Sequence, residues 1–184
     1  EPGKRLGEKA VTGLLQEMAR RRIDTHLGHK PLSFSEKGVA TEGGHIDADL
    51  ILFMPGLTGP DWAPESGLKL SPGGFFQADA FCRADGVERV FVAGDAGSFP
   101  GPDWMPKQAH MADLQAKAAA ENLSLALEGK PPAARFKIEL ICIVDTIDKG
   151  ILVYRDLKHS WLLPSSRLFH WAKRGFEWNY LRKY

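Results

Sequence analysis

Only two cysteines occur in the 184 residues, Cys82 and Cys142, and they are far apart. With no Cys-x-x-Cys pair, and with six histidines at no metal-ligand spacing, a structural zinc site has no basis and no metal is expected. No run reaches the roughly 18 to 20 consecutive apolar residues of a membrane-spanning helix, and no signal peptide is recognisable. An excess of one charge is also lacking. The 24 Lys and Arg are balanced by 23 Asp and Glu, leaving +1, whereas a nucleic-acid face needs a concentrated basic surplus. The phosphate-binding fingerprint Gly-x-Gly-x-x-Gly is absent. The first residues are Glu1-Pro-Gly, without an initiating methionine, so the chain is expected to be the carboxyl-terminal part of a longer protein.

What remains is 43% hydrophobic, enough for one or two small domains with a core. Val90-Phe-Val-Ala-Gly-Asp95-Ala-Gly reads as a short buried parallel strand running into a Gly-Asp turn. Parallel sheets bind ligands at the carboxyl ends of their strands. Gly94 would let the backbone approach such a ligand, and Asp95 offers an acceptor to hydroxyl groups. A solvated aspartate in an ordinary turn fits the five residues equally. A Pro- and Gly-rich loop (Ser98 to Pro106) follows, then a stretch of strong helix formers from Lys107 to Leu123, closed by Gly129 and Pro131-Pro132. Its amino end would turn free N–H groups and partial positive charge toward an anionic ligand atom.

This strand, turn, loop and helix resemble the second FAD-contacting motif of the flavoproteins with two dinucleotide-binding domains. The nearest match is to the sulfide:quinone oxidoreductases and flavocytochrome c sulfide dehydrogenases; type II NADH:quinone oxidoreductases share the scaffold more distantly. The resemblance extends from about residue 5 to the end and is strongest over Asp49–Gly56 and Val90–Leu123. It implies an α/β fold made of portions of two Rossmann-like FAD/NAD(P)-binding domains, followed by a β-hairpin and an amphipathic carboxyl-terminal helix. It implies FAD as cofactor, with Gly94 and Asp95 at the ribityl chain and Lys107 and Gln108 at the isoalloxazine. Lys107 taken alone reads equally as a solvated first-turn lysine. The rest of the FAD site would lie in the missing amino-terminal part of the protein.

The order of elements agrees. Leu6, Ala10, Leu14, Leu15 and Met18 predict an amphipathic helix over residues 5–21, with Arg20-Arg-Arg22 at the end where cations are favoured. A strand Ile23–Leu27 is expected next. A hairpin follows from Leu32-Ser-Phe and Gly38-Val-Ala-Thr with a Glu42-Gly-Gly44 turn, then an apolar strand Asp49–Met54 ending in Pro55-Gly56. The resemblance makes residues 1–56 the end of an NAD(H)-like domain. Residues 57–131 become the second half of the FAD domain, and 132–184 a hairpin with an amphipathic tail. Gly73-Gly-Phe-Phe76 and Phe81-Cys-Arg-Ala84 occupy the place of a short hairpin. Cys82 has nothing beside it to activate a thiolate and reads as a structural thiol.

Cys142 lies in an apolar run from Phe136 to Thr146, paired through Asp148-Lys-Gly150 with Ile151-Leu-Val-Tyr154. By residue type it is a core cysteine. The resemblance implies a redox role instead, with a sulfur bridge to a second cysteine outside these residues: hydrosulfide attack on a disulfide beside a flavin leaves a persulfide and a thiolate that passes electrons on. Asp145 is either a nearby base or a turn former.

In Ser165–Tyr184, a period of 100° per residue places Leu168, Phe169, Trp171, Ala172, Phe176, Trp178 and Tyr180 on one arc, with His170, Lys173, Arg174 and Glu177 opposite. Five Lys or Arg accompany one Glu. Aromatics with basic residues on an amphipathic helix suit a membrane surface, and Phe169, Trp171, Phe176 and Trp178 are the expected contacts. The same arc would serve packing on a partner or on its own domain.

The expected protein is therefore an FAD-dependent, peripheral-membrane oxidoreductase passing electrons from sulfide to quinone. The alternatives are an NADH donor, a flavocytochrome partner as acceptor, and a non-catalytic interaction or membrane-docking module. Homo-oligomers through unpaired strand edges are a further expectation.

Overall fold

The computed structural model describes residues 4–182, and the chain divides into two compact units, Glu1–Leu57 and Thr58–Tyr184.

The first unit opens with helix α1 (Glu8–Arg20). No glycine ends it. Arg22 takes the left-handed position instead, with φ 60°, and Ile23 N–H reaches back to Met18 O at 2.9 Å while Arg22 N–H reaches Ala19 O at 3.0 Å. These are the two bonds of a Schellman motif. Arg20 and Arg21 both bond Glu17, at 2.6 and 2.7 Å, and hold its carboxyl at about 2. The arginine run thus belongs to the helix end. A three-stranded antiparallel meander follows: β1 (Pro31–Ser35), β2 (Gly38–Thr41) and β3 (Gly44–Asp47). It exceeds the expected hairpin by one strand, because the Glu42-Gly43 turn returns the chain at Thr41↔Gly44. Thr41 Oγ1 locks that turn by donating to Gly44 O at 2.7 Å.

Two expected strands are absent. Residues 23–27 and 49–54 are irregular, with Leu50, Leu52 and Met54 77%, 83% and 91% exposed. An apolar run becomes a strand only where a neighbour satisfies its N–H and C=O groups, and the three strands of this unit pair only with one another.

In the second unit, β4 (Phe76–Gln77) and β5 (Gly97–Ser98) form a short parallel pair. Val90–Ala93, expected as a parallel strand, is reduced to a single antiparallel bridge, Arg83↔Phe91. Ala84 N–H donates to Val90 O and Val92 N–H to Cys82 O, both at 2.8 Å, so one edge is satisfied and the other meets no strand among the described residues. The segment is still core: Val92 packs with Ala63, Phe76, Ala78 and Ala84.

Helix α2 (Ala109–Leu127) lays Met111, Gln115, Ala118, Ala119 and Asn122 inward, the 3.6-residue spacing of a single face. It ends at Gly129, φ 70°. A meander of β6 (Glu139–Asp145), β7 (Gly150–Asp156) and β8 (Ser160–Leu162) follows. The hairpin was expected; β8 was not, its three residues being too few for a periodic signal. Trp161 on β8 packs against Tyr154 on β7, ring centroids 5.3 Å apart. Helix α3 (Arg167–Leu181) closes the described chain, its first turn capped by Ser166 Oγ accepting Leu168 N–H at 3.1 Å. Lys183 and Tyr184, in the expected tail, lie outside the described residues.

Candidate functional site

The Gly94–Ala96 segment is one turn of 3-10 helix lying against α2. Gly94 has φ 71°, a left-handed value that leaves its N–H free to donate to Gln115 Oε1 at 2.9 Å. Gln115, 4% exposed, is spent entirely on holding this turn and its neighbour: its backbone carbonyl takes the Cys82 thiol at 3.5 Å. Asp95 is exposed at the turn, and its carboxylate has no hydrogen-bond partner among the described residues.

Lys107 does not point freely into solvent. Its ammonium donates to Asp95 O at 2.7 Å and Gly97 O at 2.6 Å, and it stands 3.9 Å over the Phe75 ring. It clamps the turn from the far side of the Pro-Gly loop and leaves positive charge beside it. Gln108 is the residue before α2 and does not cap it. The first helical bond is Ala112 N–H to Gln108 O, 3.0 Å, so the preceding N–H groups have no acceptor within the helix. Gln108 Nε2 reaches Ile141 O on β6, 3.5 Å away. A cavity of about 110 Å³ lies among Gly94, Asp95, Gly97, Lys107, Met111 and Gln115. A larger cleft of about 610 Å³, lined by Arg135, Phe136 and Lys158 among others, is separate. Phe99 of the smaller cavity and Phe136 of the larger meet edge to face at 5.4 Å.

The Gln108 contact brings β6 to the α2 terminus immediately beside Cys142. Cys142 is half-buried and stands opposite Val153. Burial pushes its thiol up, with Lys173 pulling the other way. Cys82 is fully buried, with φ 64°, and burial, with Asp79 adding to it, raises its thiol to about 12. Asp145, at the end of β6, accepts Ile147 N–H at 2.9 Å and His170 Nδ1 of α3 at 3.1 Å. The His170 bond holds its carboxyl below the ordinary value against the opposing effect of burial. It works as a turn former and helix anchor.

Two features escaped the sequence. Gln115 and Asn122 are polar residues within the inward stripe of α2, and that misfit with the period was the available signal. Glu139 joins His110 of α2, at 2.8 Å, to Lys137. Burial opposes its charge, yet these two partners keep the carboxyl low. Residues separated by nearly thirty positions gave no such signal. On α3, Trp171, Phe176 and Trp178 are 63%, 65% and 59% exposed, whereas Phe169 is half-buried where the helix crosses Gly150. His170, placed opposite the aromatic arc, faces the hairpin with only 15% of its side chain exposed.

Residues 2–116 match the pyridine nucleotide-disulphide oxidoreductase family. The chain belongs to this family. No curated protein matches the sequence, but solved structures do. The sulfide:quinone oxidoreductase from the hyperthermophilic bacterium Aquifex aeolicus aligns with a TM-score of 0.84 at 20% identity, over 96% of this chain and 46% of that one. An engineered water-forming NADPH oxidase bound to NADPH aligns at TM-score 0.60 and 18% identity, over 79% and 33%. An FAD-dependent pyridine nucleotide-disulphide oxidoreductase from Desulfovibrio vulgaris gives 0.56 and 20%, over 82% and 39%. The pyridine nucleotide-disulphide oxidoreductase chain described here therefore spans less than half the length of each. Its fold is theirs: α/β, with Rossmann-like FAD/NAD(P)-binding portions and a carboxyl-terminal helix.

Proposed function

We propose that the chain is part of an FAD-dependent oxidoreductase that takes electrons from sulfide and delivers them to a quinone at a membrane surface. The observation that carries this reading is the convergence at the amino end of α2, where the Gly94–Asp95 turn, the uncapped helix terminus and the Cys142 strand meet through Gln108. FAD is the cofactor. The residues suit its ribityl and pyrimidine end: an unpartnered exposed carboxylate at Asp95 for hydroxyl groups, a glycine with positive φ beside it, and helix N–H groups for a negatively charged ring edge. Bound there, FAD supplies two-electron transfer between donor and acceptor.

Asp95 orients the group; Lys107, committed to the carbonyls of Asp95 and Gly97, keeps the turn in register. Gln108 ties that terminus to the strand carrying Cys142. Cys142, protonated at neutral pH because burial raises its thiol, needs a proton acceptor or a disulfide partner before it takes part as a sulfur nucleophile. The outward Trp171, Phe176 and Trp178 of α3, with Arg174 and Arg182 over the two indoles at 5.5 and 3.7 Å, suit a lipid headgroup region.

Anaerobic titration of the flavin-loaded protein with sulfide, and separately with NADH, tests the reading through the oxidised-flavin absorbance. Bleaching by sulfide that is lost in Cys142→Ser is expected. Bleaching by NADH alone, unchanged in Cys142→Ser, moves the assignment to the NADH branch and leaves Cys142 a core residue.

A further inference from the structure

Ile147 stands at the tip of the β6–β7 hairpin in a backbone conformation unsuited to its type. Thr146 N–H donates to Lys149 O at 2.8 Å, so Ile147 and Asp148 form the tip, and Ile147 has φ 79°. Glycine or asparagine normally takes this position; a β-branched side chain there is crowded against the backbone. Core packing does not compensate, because Ile147 is 81% exposed. Strained residues persist where the surroundings over-determine them, and here one carboxylate oxygen does so. Asp145 Oδ1 accepts both Ile147 N–H and His170 Nδ1, which fastens the tip to the first turns of α3.

We propose that the Ile147 tip inserts into an anionic phospholipid surface together with the outward face of α3. The inference rests on the reading of α3 as a lipid-facing helix and adds a second, independent point of insertion. Charge complementarity names the occupant. Arg167, Arg174 and Arg182 on α3, with Lys149 beside the tip, outnumber Asp148 and Glu177, and basic residues next to exposed aromatics attract lipid phosphates. A glycine at the tip would satisfy the turn but carry nothing into the acyl boundary. An isoleucine accepts the strain and presents a branched apolar side chain.

The test is cosedimentation of the 184-residue chain with phosphatidylcholine vesicles, with and without phosphatidylglycerol, for wild type, Ile147→Gly and Ile147→Asn, alongside thermal midpoints. Wild type binds the anionic vesicles. Both variants bind about tenfold more weakly, having lost the burial of one aliphatic side chain, while their midpoints are unchanged or higher because the new residues suit a positive φ. Equal binding by wild type and variants overturns the tip and leaves α3 standing. Lower midpoints with unchanged binding overturn it as well, assigning Ile147 a structural role. Failure of wild type to bind any vesicle removes the α3 reading and the tip with it.

Discussion

Removing the side chain of Asn122 separates a folding role from a catalytic one at the centre of the second unit. Asn122 is fully buried and uses its whole amide. Nδ2 donates to Phe81 O at 2.9 Å and Ala134 O at 2.7 Å, while Oδ1 accepts Ala133 N–H and Ala134 N–H, both at 2.9 Å. It therefore fastens three pieces together: α2, the Phe81–Cys82 turn, and the segment leading into β6. Asn122→Ala leaves four backbone groups without partners. At about 1 kcal/mol net for each bond, and allowing water to reach some of them, the loss is roughly 3 to 4 kcal/mol. That is a large share of the 5–15 kcal/mol or so typical of a whole domain. Asn122→Asp does not rescue it, since a carboxylate faces two carbonyls. All five tryptophans lie in the second unit, so urea unfolding followed by tryptophan fluorescence reads this unit selectively. A loss below about 1 kcal/mol would refute the argument that the four bonds are needed, because satisfied buried amides cannot be removed so cheaply.

Other expectations concern thiols, acid and a helix end. In the native chain an alkylating reagent modifies Cys142 and not Cys82, which reacts only on unfolding; the Cys142 rate climbs as pH rises toward its elevated value, and modification of native Cys142→Ser would contradict the burial described. The carboxyls of Glu139 and Asp145 sit below their ordinary values in the fold, so the unfolded chain binds more protons. The stability they contribute is fully present above about pH 4 and is lost as pH falls through the folded values. Fluorescence-monitored unfolding should therefore weaken in acid, less steeply in Glu139→Gln; identical slopes would exclude the linkage. Arg22→Gly relieves a left-handed arginine at the end of α1 and should stabilise the first unit by about 1 kcal/mol, seen as a raised midpoint by circular dichroism; a lowered one would mean that Arg22 makes a contact worth more than its strain.

Periodicity and turn chemistry sufficed for the helices and for the β6–β7 hairpin. α1, α2 and α3 each carry a local pattern, and a hairpin needs only its two strands and the residues between them. The Gly94–Asp95 turn, Lys107, Gln108 and Cys142 were likewise readable as chemistry-bearing types in a recurring order. What the sequence did not contain is anything that depends on a distant partner. Val90–Ala93 and Asp49–Met54 have strand composition, yet a strand requires a neighbour's N–H and C=O groups, and within these residues none is offered. Lys107 was a candidate ligand contact by position, but only the folded loop shows its three protons directed at backbone carbonyls. The inward turn of His170 and outward turn of Trp171 were settled by Asp145, twenty-five residues earlier. Local pattern determined which segments coil or turn; long-range hydrogen bonds, whose partners no window of sequence contains, decided which faces meet and which remain open to a cofactor or a membrane.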